Sequence, residues 1–122
     1  MSETWSGRGK VRAREIEGGV EIAMDGITTQ ARYYKLLVYE FFRKEFQTRP
    51  RWGEFEVELR MEYVGEAPRL DLDNLAKALL DALKGHVFFD DSQIARLLCE
   101  RFAGERERIT VRAVRRADAI PT

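Results

Sequence analysis

Arg69–Gln93, RLDLDNLAKALLDALKGHVFFDDSQ, is the stretch on which the reading of the chain turns. It opens on two aspartates, Asp71 and Asp73, and closes on a second pair, Asp90 and Asp91. Between them Leu72, Leu75, Ala76, Leu79 and Leu83 recur at the i, i+3, i+4, i+7 spacing of one apolar helix face. Asp73, Asn74, Lys77, Asp81 and Lys84 take the polar flank, and Asp73 and Lys77 stand one helical turn apart. Gly85 follows the last periodic residue, where a helix stops. Val87-Phe88-Phe89 is a short apolar run suited to anchoring the acidic pair behind it to the core. The pattern predicts a segment that folds back on itself and brings its two acidic ends together.

Working outward, residues 54–64 (EFEVELRMEYV) alternate as a strand. Phe55, Val57, Leu59, Met61 and Tyr63 point one way, and Glu54, Glu56, Glu58, Arg60 and Glu62 the other. Before it, Tyr34, Leu37, Val38, Phe41, Phe42 and Phe46 make a helical stripe that reads as core, with Thr28 or Thr29 as its N-cap and Pro50 beyond its end. Residues 11–24 hold two short extended segments about Gly18-Gly19. After Asp91, residues 94–102 (IARLLCERF) and 109–114 (ITVRAV) read as a hairpin joined at Gly104. Residues 1–10 and 117–122 read as flexible ends. The sum is one α+β domain over residues 1–122: a small mixed or antiparallel sheet of about four strands with two main helices packed on it.

Composition narrows the chemistry by exclusion. Twenty-one basic and 21 acidic residues give zero net charge, so charge alone does not announce a polyanion partner. The bases gather near the ends: Arg8, Lys10, Arg12 and Arg14, then Arg101, Arg106, Arg108, Arg112, Arg115 and Arg116. No apolar run is long enough for a membrane span. The one cysteine, Cys99, rules out an internal disulfide and suits a reducing cytoplasm. With His86 the only histidine, histidine-rich zinc sites and HExxH are absent, as are the GxxxxGK[ST] and GxGxxG phosphate loops. Carboxylate remains. Asp71, Asp73, Asp90 and Asp91 supply hard oxygen ligands suited to magnesium or manganese, which polarise phosphoryl oxygens and activate water. Lys77 could neutralise a scissile phosphate, and Asn74 could hydrogen-bond a ligand carboxylate. Asp at a helix start is equally an ordinary N-cap, and Asp-Asp-Ser an ordinary turn. Spacing alone does not choose between these readings.

The whole motif does more. RLDLDNLAKALLDALKG…FFDDSQI resembles the signature of the RusA family of Holliday-junction resolvases: DxDNxxKxxxDAL, a short turn, then DDxQ. Asp71, Asp73, Asn74, Lys77, Asp81, Ala82, Leu83, Asp90, Asp91 and Gln93 match in order. The resemblance implies a homodimeric endodeoxyribonuclease that uses magnesium, or manganese in its place. Such an enzyme nicks four-way DNA junctions symmetrically in recombination and repair, leaving a 5′-phosphate. It implies Asp71, Asp73 and Asp91 as metal-binding catalytic carboxylates, Asp90 as an adjacent acid on the metal, and Lys77 as an essential base. Arg69, Asn74 and the basic group Arg8, Lys10, Arg12 and Arg14 are its candidate DNA contacts. The chain departs from the family in having no proline before Pro50, so the first third is not aligned by it. Two rivals stand beside this reading: a nuclease for broader branched or flap DNA, and a junction-binding protein that no longer cuts.

Overall fold

The computed structural model describes residues 4–26 and 30–116, and builds five strands and two helices from them. In chain order these are β1 (Val11–Ile16), β2 (Gly19–Asp25), α1 (Ala31–Lys44), β3 (Phe55–Tyr63), α2 (Leu72–Leu83), β4 (Ile94–Ala103) and β5 (Arg108–Arg115), with a single 3-10 turn at Asp91–Gln93 before β4. The sheet runs β1-β2-β5-β3-β4. Every neighbouring pair is antiparallel except β3–β4, which is parallel.

Alternation sets the two sheet faces. Val11, Ala13, Val20, Ile22, Met24, Phe55, Val57, Leu59, Met61, Ile109, Val111 and Ala113 are buried on one face, beneath Tyr34, Val38, Phe41 and Phe42 of α1 and Leu75, Ala76, Leu79, Ala82 and Leu83 of α2. Each fully buried leucine or phenylalanine among these contributes about 1.5–3 kcal/mol relative to exposure. The other face carries charge, much of it paired. Arg12 and Arg108 meet Asp25, Arg14 meets Glu21, Arg96 meets Glu58, Arg60 meets Glu100, and Arg116 meets Glu56. Such cross-strand pairs leave little net field on that face.

The α+β class and two helices agree with the sequence reading, but there are five strands rather than about four. The expected hairpin between residues 94–102 and 109–114 does not form. Parallel neighbours need a crossover connection, usually a helix, and α2 supplies one between β3 and β4. Through α2, β4 takes the free edge beside β3, and β5 inserts between β3 and β2. Gly104 still marks the turn, with its amide donating to the Tyr63 carbonyl at 2.8 Å. The Glu62 carboxylate accepts from the Glu105 and Arg106 amides at 2.8 and 3.2 Å. As an edge strand, β4 leaves Leu97 and Phe102 exposed and Cys99 only half-buried, not buried as a central strand would.

Gly19 is required by the sheet, since a Cβ there would collide with the Ala113 carbonyl oxygen. Residues 4–10, expected to be flexible, fold back on β1: Ser6 and Ala13 exchange backbone hydrogen bonds of 2.7 and 2.9 Å, and the Arg14 guanidinium lies 4.7 Å from the Trp5 ring centre. Thr28 and Thr29, the expected N-cap, lie outside the described residues, as do residues 1–3 and 117–122. Gln30 takes the N-cap position without a side-chain cap. Among the described residues no helix is long and apolar enough to cross a membrane.

Candidate active site at the two ends of α2

Leu70 is buried, and it pins the start of α2 so that Asp71 takes the N-cap position in an extended conformation (φ −71°, ψ 127°). Its carboxylate makes no cap hydrogen bond, although its carbonyl accepts from the Leu75 amide at 3.0 Å. The Asn74 amide donates to Asp71 Oδ2 at 3.4 Å, so the sequence neighbour steadies the carboxylate rather than burying it. Asp73 lies in the first turn and Lys77 one turn later, both exposed. Two carboxylates at a helix N-terminus complement the positive end of the macrodipole. Arg69 is exposed at the same end, and Arg101 of β4 reaches the Pro68 carbonyl at 3.3 Å, tying this loop to the far end of β4.

At the other end of α2, Gly85 adopts φ +86° and stops the helix. Val87 and Phe88 are buried and hold the turn that follows. Asp90 caps the 3-10 turn, accepting from the Ser92 amide at 3.0 Å, and pairs with Lys84 Nζ at 3.0 Å. The Ser92 hydrogen bonds and the Lys84 ammonium hold its carboxyl far below the ordinary carboxylate range, and Asp90 in turn raises Lys84. Gln93 does the rest. Its Oε1 accepts from the Phe89 and Asp90 amides at 2.7 and 3.0 Å, while its Nε2 donates to the Arg51 and Gly53 carbonyls at 2.9 and 2.8 Å. Asp91 is left exposed at the first position of the turn.

The expected folding-back of the two acidic ends does not occur within one chain. α2 stands between them as a rod of 12 residues, about 18 Å at 1.5 Å per residue. Among the described residues no three His, Cys, Asp or Glu side chains gather closely enough to hold a metal ion. Beyond the helix, Asp91 stands at the start of β4, where Ile94 is level with Phe55, while Arg101 near the far end of β4 reaches Pro68 beside the Asp71 end, so the length of β4 keeps the two ends apart. In donor chemistry Asp71 and Asp73 suit magnesium, which takes one or two carboxylates together with phosphate oxygens and water. Asp90 is already engaged by Ser92 and Lys84, one at each oxygen, so a metal there would compete with the Lys84 ammonium.

A groove of about 590 Å³ runs between α1 and α2 and is lined by Arg32, Lys35, Asn74, Lys77 and Asp81 among others. Sequence reasoning missed Arg32 and Lys35, because the packing of α1 on α2 that sets them beside Lys77 has no local signature. Lys35 pairs with Asp81 at 3.6 Å, which gives Asp81 the helix-surface role. Of the basic group near the start of the chain, Arg12 and Arg14 are β1 residues engaged with Asp25 and Glu21. Arg8 and Lys10 are exposed, with Lys10 over the Tyr33 ring.

A model of the family described as Endodeoxyribonuclease RusA matches residues 26–113, well over half of the chain. The chain belongs to the RusA family. It is therefore an endodeoxyribonuclease of the kind that acts on Holliday junctions. The match spans both ends of α2 and the groove beside it, and omits β1 and β2. No curated protein matches the chain.

Proposed function

We propose that the chain is a magnesium-dependent resolvase that works as a homodimer, with Asp71 and Asp73 of one copy and Asp91 of the other forming each catalytic centre. The observation that carries this reading is the placement of the acids at opposite ends of α2, beside the parallel edge strand β4, whose outer side pairs with no strand among the described residues. Two copies paired antiparallel along β4 about a two-fold axis set the Asp91 end of each beside the Asp71 end of the other. The edge suits such pairing. It is ten residues long, has no proline, and exposes Leu97 and Phe102. Centred on Leu98, the register sets Arg96 opposite Glu100 of the second copy, and does so twice.

Bound magnesium would supply water activation and charge neutralisation at the scissile phosphate. The chain's own residues do the remaining work. Asp71 and Asp73 provide hard carboxylate oxygens, and Asn74 holds Asp71 in orientation. Lys77 projects its ammonium toward the strand carried in the α1–α2 groove, where Arg32 and Lys35 add phosphate contacts. Gln93 fixes the turn that presents Asp91. Two centres related by a two-fold axis cut two opposed strands, leaving 5′-phosphate ends.

The test incubates the protein with an end-labelled four-way junction, a flap and a linear duplex of shared sequence, in magnesium or EDTA. Paired nicks confined to the junction and lost in EDTA are expected. Cutting of flaps and junctions alike would replace this reading with a broader branched-DNA nuclease, and binding without incision would refute catalysis.

A further inference from the structure

We propose that the stacked rings of Trp52 and Phe89 form a seat for an unstacked nucleobase of branched DNA, next to the Asp90–Asp91 turn. The inference rests on the DNA-cutting role of the chain and adds a binding element to it. The two rings lie 4.1 Å apart between centroids and 18° from parallel. Trp52 is 66% exposed and Phe89 38%, so neither ring belongs to the core, and the pair offers a flat apolar face to solvent.

The pair is held as one unit. The Gln93 amide bridges the Arg51 and Gly53 carbonyls, on either side of Trp52, to the amides of Phe89 and Asp90. A backbone hydrogen bond from the Arg51 amide to the Val87 carbonyl, 3.1 Å, closes the other side. Phe88, adjacent to Phe89, is fully buried against Phe55 and anchors the whole turn. A platform fixed in advance loses little side-chain freedom on binding.

Chemistry selects the occupant. Aromatic rings bind nucleobases through their faces, and cations beside them hold the connecting phosphates. Arg49 and Arg51 are both exposed and immediately precede the platform. Bases inside a continuous duplex are covered by their neighbours. A base at a branch point has a free face, so the seat reads the branch rather than the sequence.

Trp5 is the only other tryptophan, so a Trp5→Phe background makes Trp52 the sole indole reporter. Binding is read in EDTA, so that the outcome does not depend on cutting, with a four-way junction and a linear duplex of the same sequence as probes. The junction is expected to quench Trp52 emission and the duplex to leave it unchanged. Trp52→Ala should weaken junction binding by about 5- to 140-fold, the range of one base–aromatic stack, while Trp52→Phe stays within about threefold of the parent. Trp52 is largely exposed, so neither change threatens folding. Emission unchanged at saturating junction, or an alanine variant that binds as tightly as the parent, overturns the proposal. Emission that shifts with protein concentration in the absence of DNA assigns the platform to contact between copies and also overturns it. A parent protein that quenches with the junction but never nicks it would sink the resolvase reading and leave this one standing.

Discussion

Replacing Gln93 by alanine removes four hydrogen bonds with a single truncation. Two are accepted by Oε1 and two donated by Nε2, at 2.7–3.0 Å. At about 0.5–1.5 kcal/mol net for each, the sum is roughly 2–6 kcal/mol. The bonds to Phe89 and Arg51 lie toward water, which replaces a missing partner there, whereas those to Asp90 and Gly53 are half-buried. The lower part of the range therefore applies: a loss of about 2–3 kcal/mol, with the half-buried bonds dominating. Urea unfolding followed by circular dichroism should show this as a reduced midpoint with an unchanged slope. For a chain of this size the same loss corresponds to a fall in Tm of roughly 6–15 °C. Gln93→Glu should cost at least as much. It retains an acceptor for the two amides, but sets a carboxylate oxygen against the Arg51 and Gly53 carbonyls. A loss under about 0.5 kcal/mol for the alanine variant would refute the claim that this side chain clamps the Asp91 turn to the start of β3.

Other outcomes follow from the same geometry. Asp73→Asn should abolish magnesium-dependent nicking while leaving junction binding intact and stability within about 0.5 kcal/mol, since the residue is exposed; electrophoretic binding and nicking assays on one preparation check both. Neutralising Arg32 and Lys35 together should weaken junction binding and lower the slope of log affinity against log salt by roughly one for each phosphate left without its cation. His86 stacks on Phe42 and meets Tyr39 edge-on, and its partial burial depresses the imidazole below its usual value of 6.5. The unfolded chain then binds the extra proton first, so stability is present above that usual value and falls as pH drops through the window down to the lowered one. His86→Gln should flatten that part of the stability–pH curve measured by thermal melts.

Much of this was legible locally. The helix at Leu72–Leu83, the strand at Phe55–Tyr63 and the stop at Gly85 follow from periodicity and turn chemistry, and each is where those rules put it. The DxDN and DDxQ clusters identified the family without any fold. What eluded the sequence was long-range. Residues 94–102 and 109–114 look like hairpin partners because Gly104 lies between them. Their true neighbours reflect the α2 crossover, which carries β4 to the outer edge of β3 and parallel to it, leaving β5 between β3 and β2. The same crossover explains why the acidic ends do not meet. A helix whose inner face packs on a sheet keeps its two ends a full helix length apart. Gln93 enters the sequence reading as the last residue of the DDxQ cluster, and the structure gives it a clamping role through four hydrogen bonds. The bases at Arg12 and Arg14 look like a DNA-binding arm because their partners, Asp25 and Glu21, lie across a hairpin and not beside them in sequence.

The most direct measurement mixes two inactive chains, Asp73→Asn and Asp91→Asn, allows them to exchange subunits, and assays nicking of a labelled four-way junction. If each centre draws its acids from both copies, the mixed dimer gathers both defects into one centre and leaves the other whole, so single-strand nicks should return although neither variant cuts alone. A mixture as inert as its components, with exchange verified, would contradict a site shared between two chains.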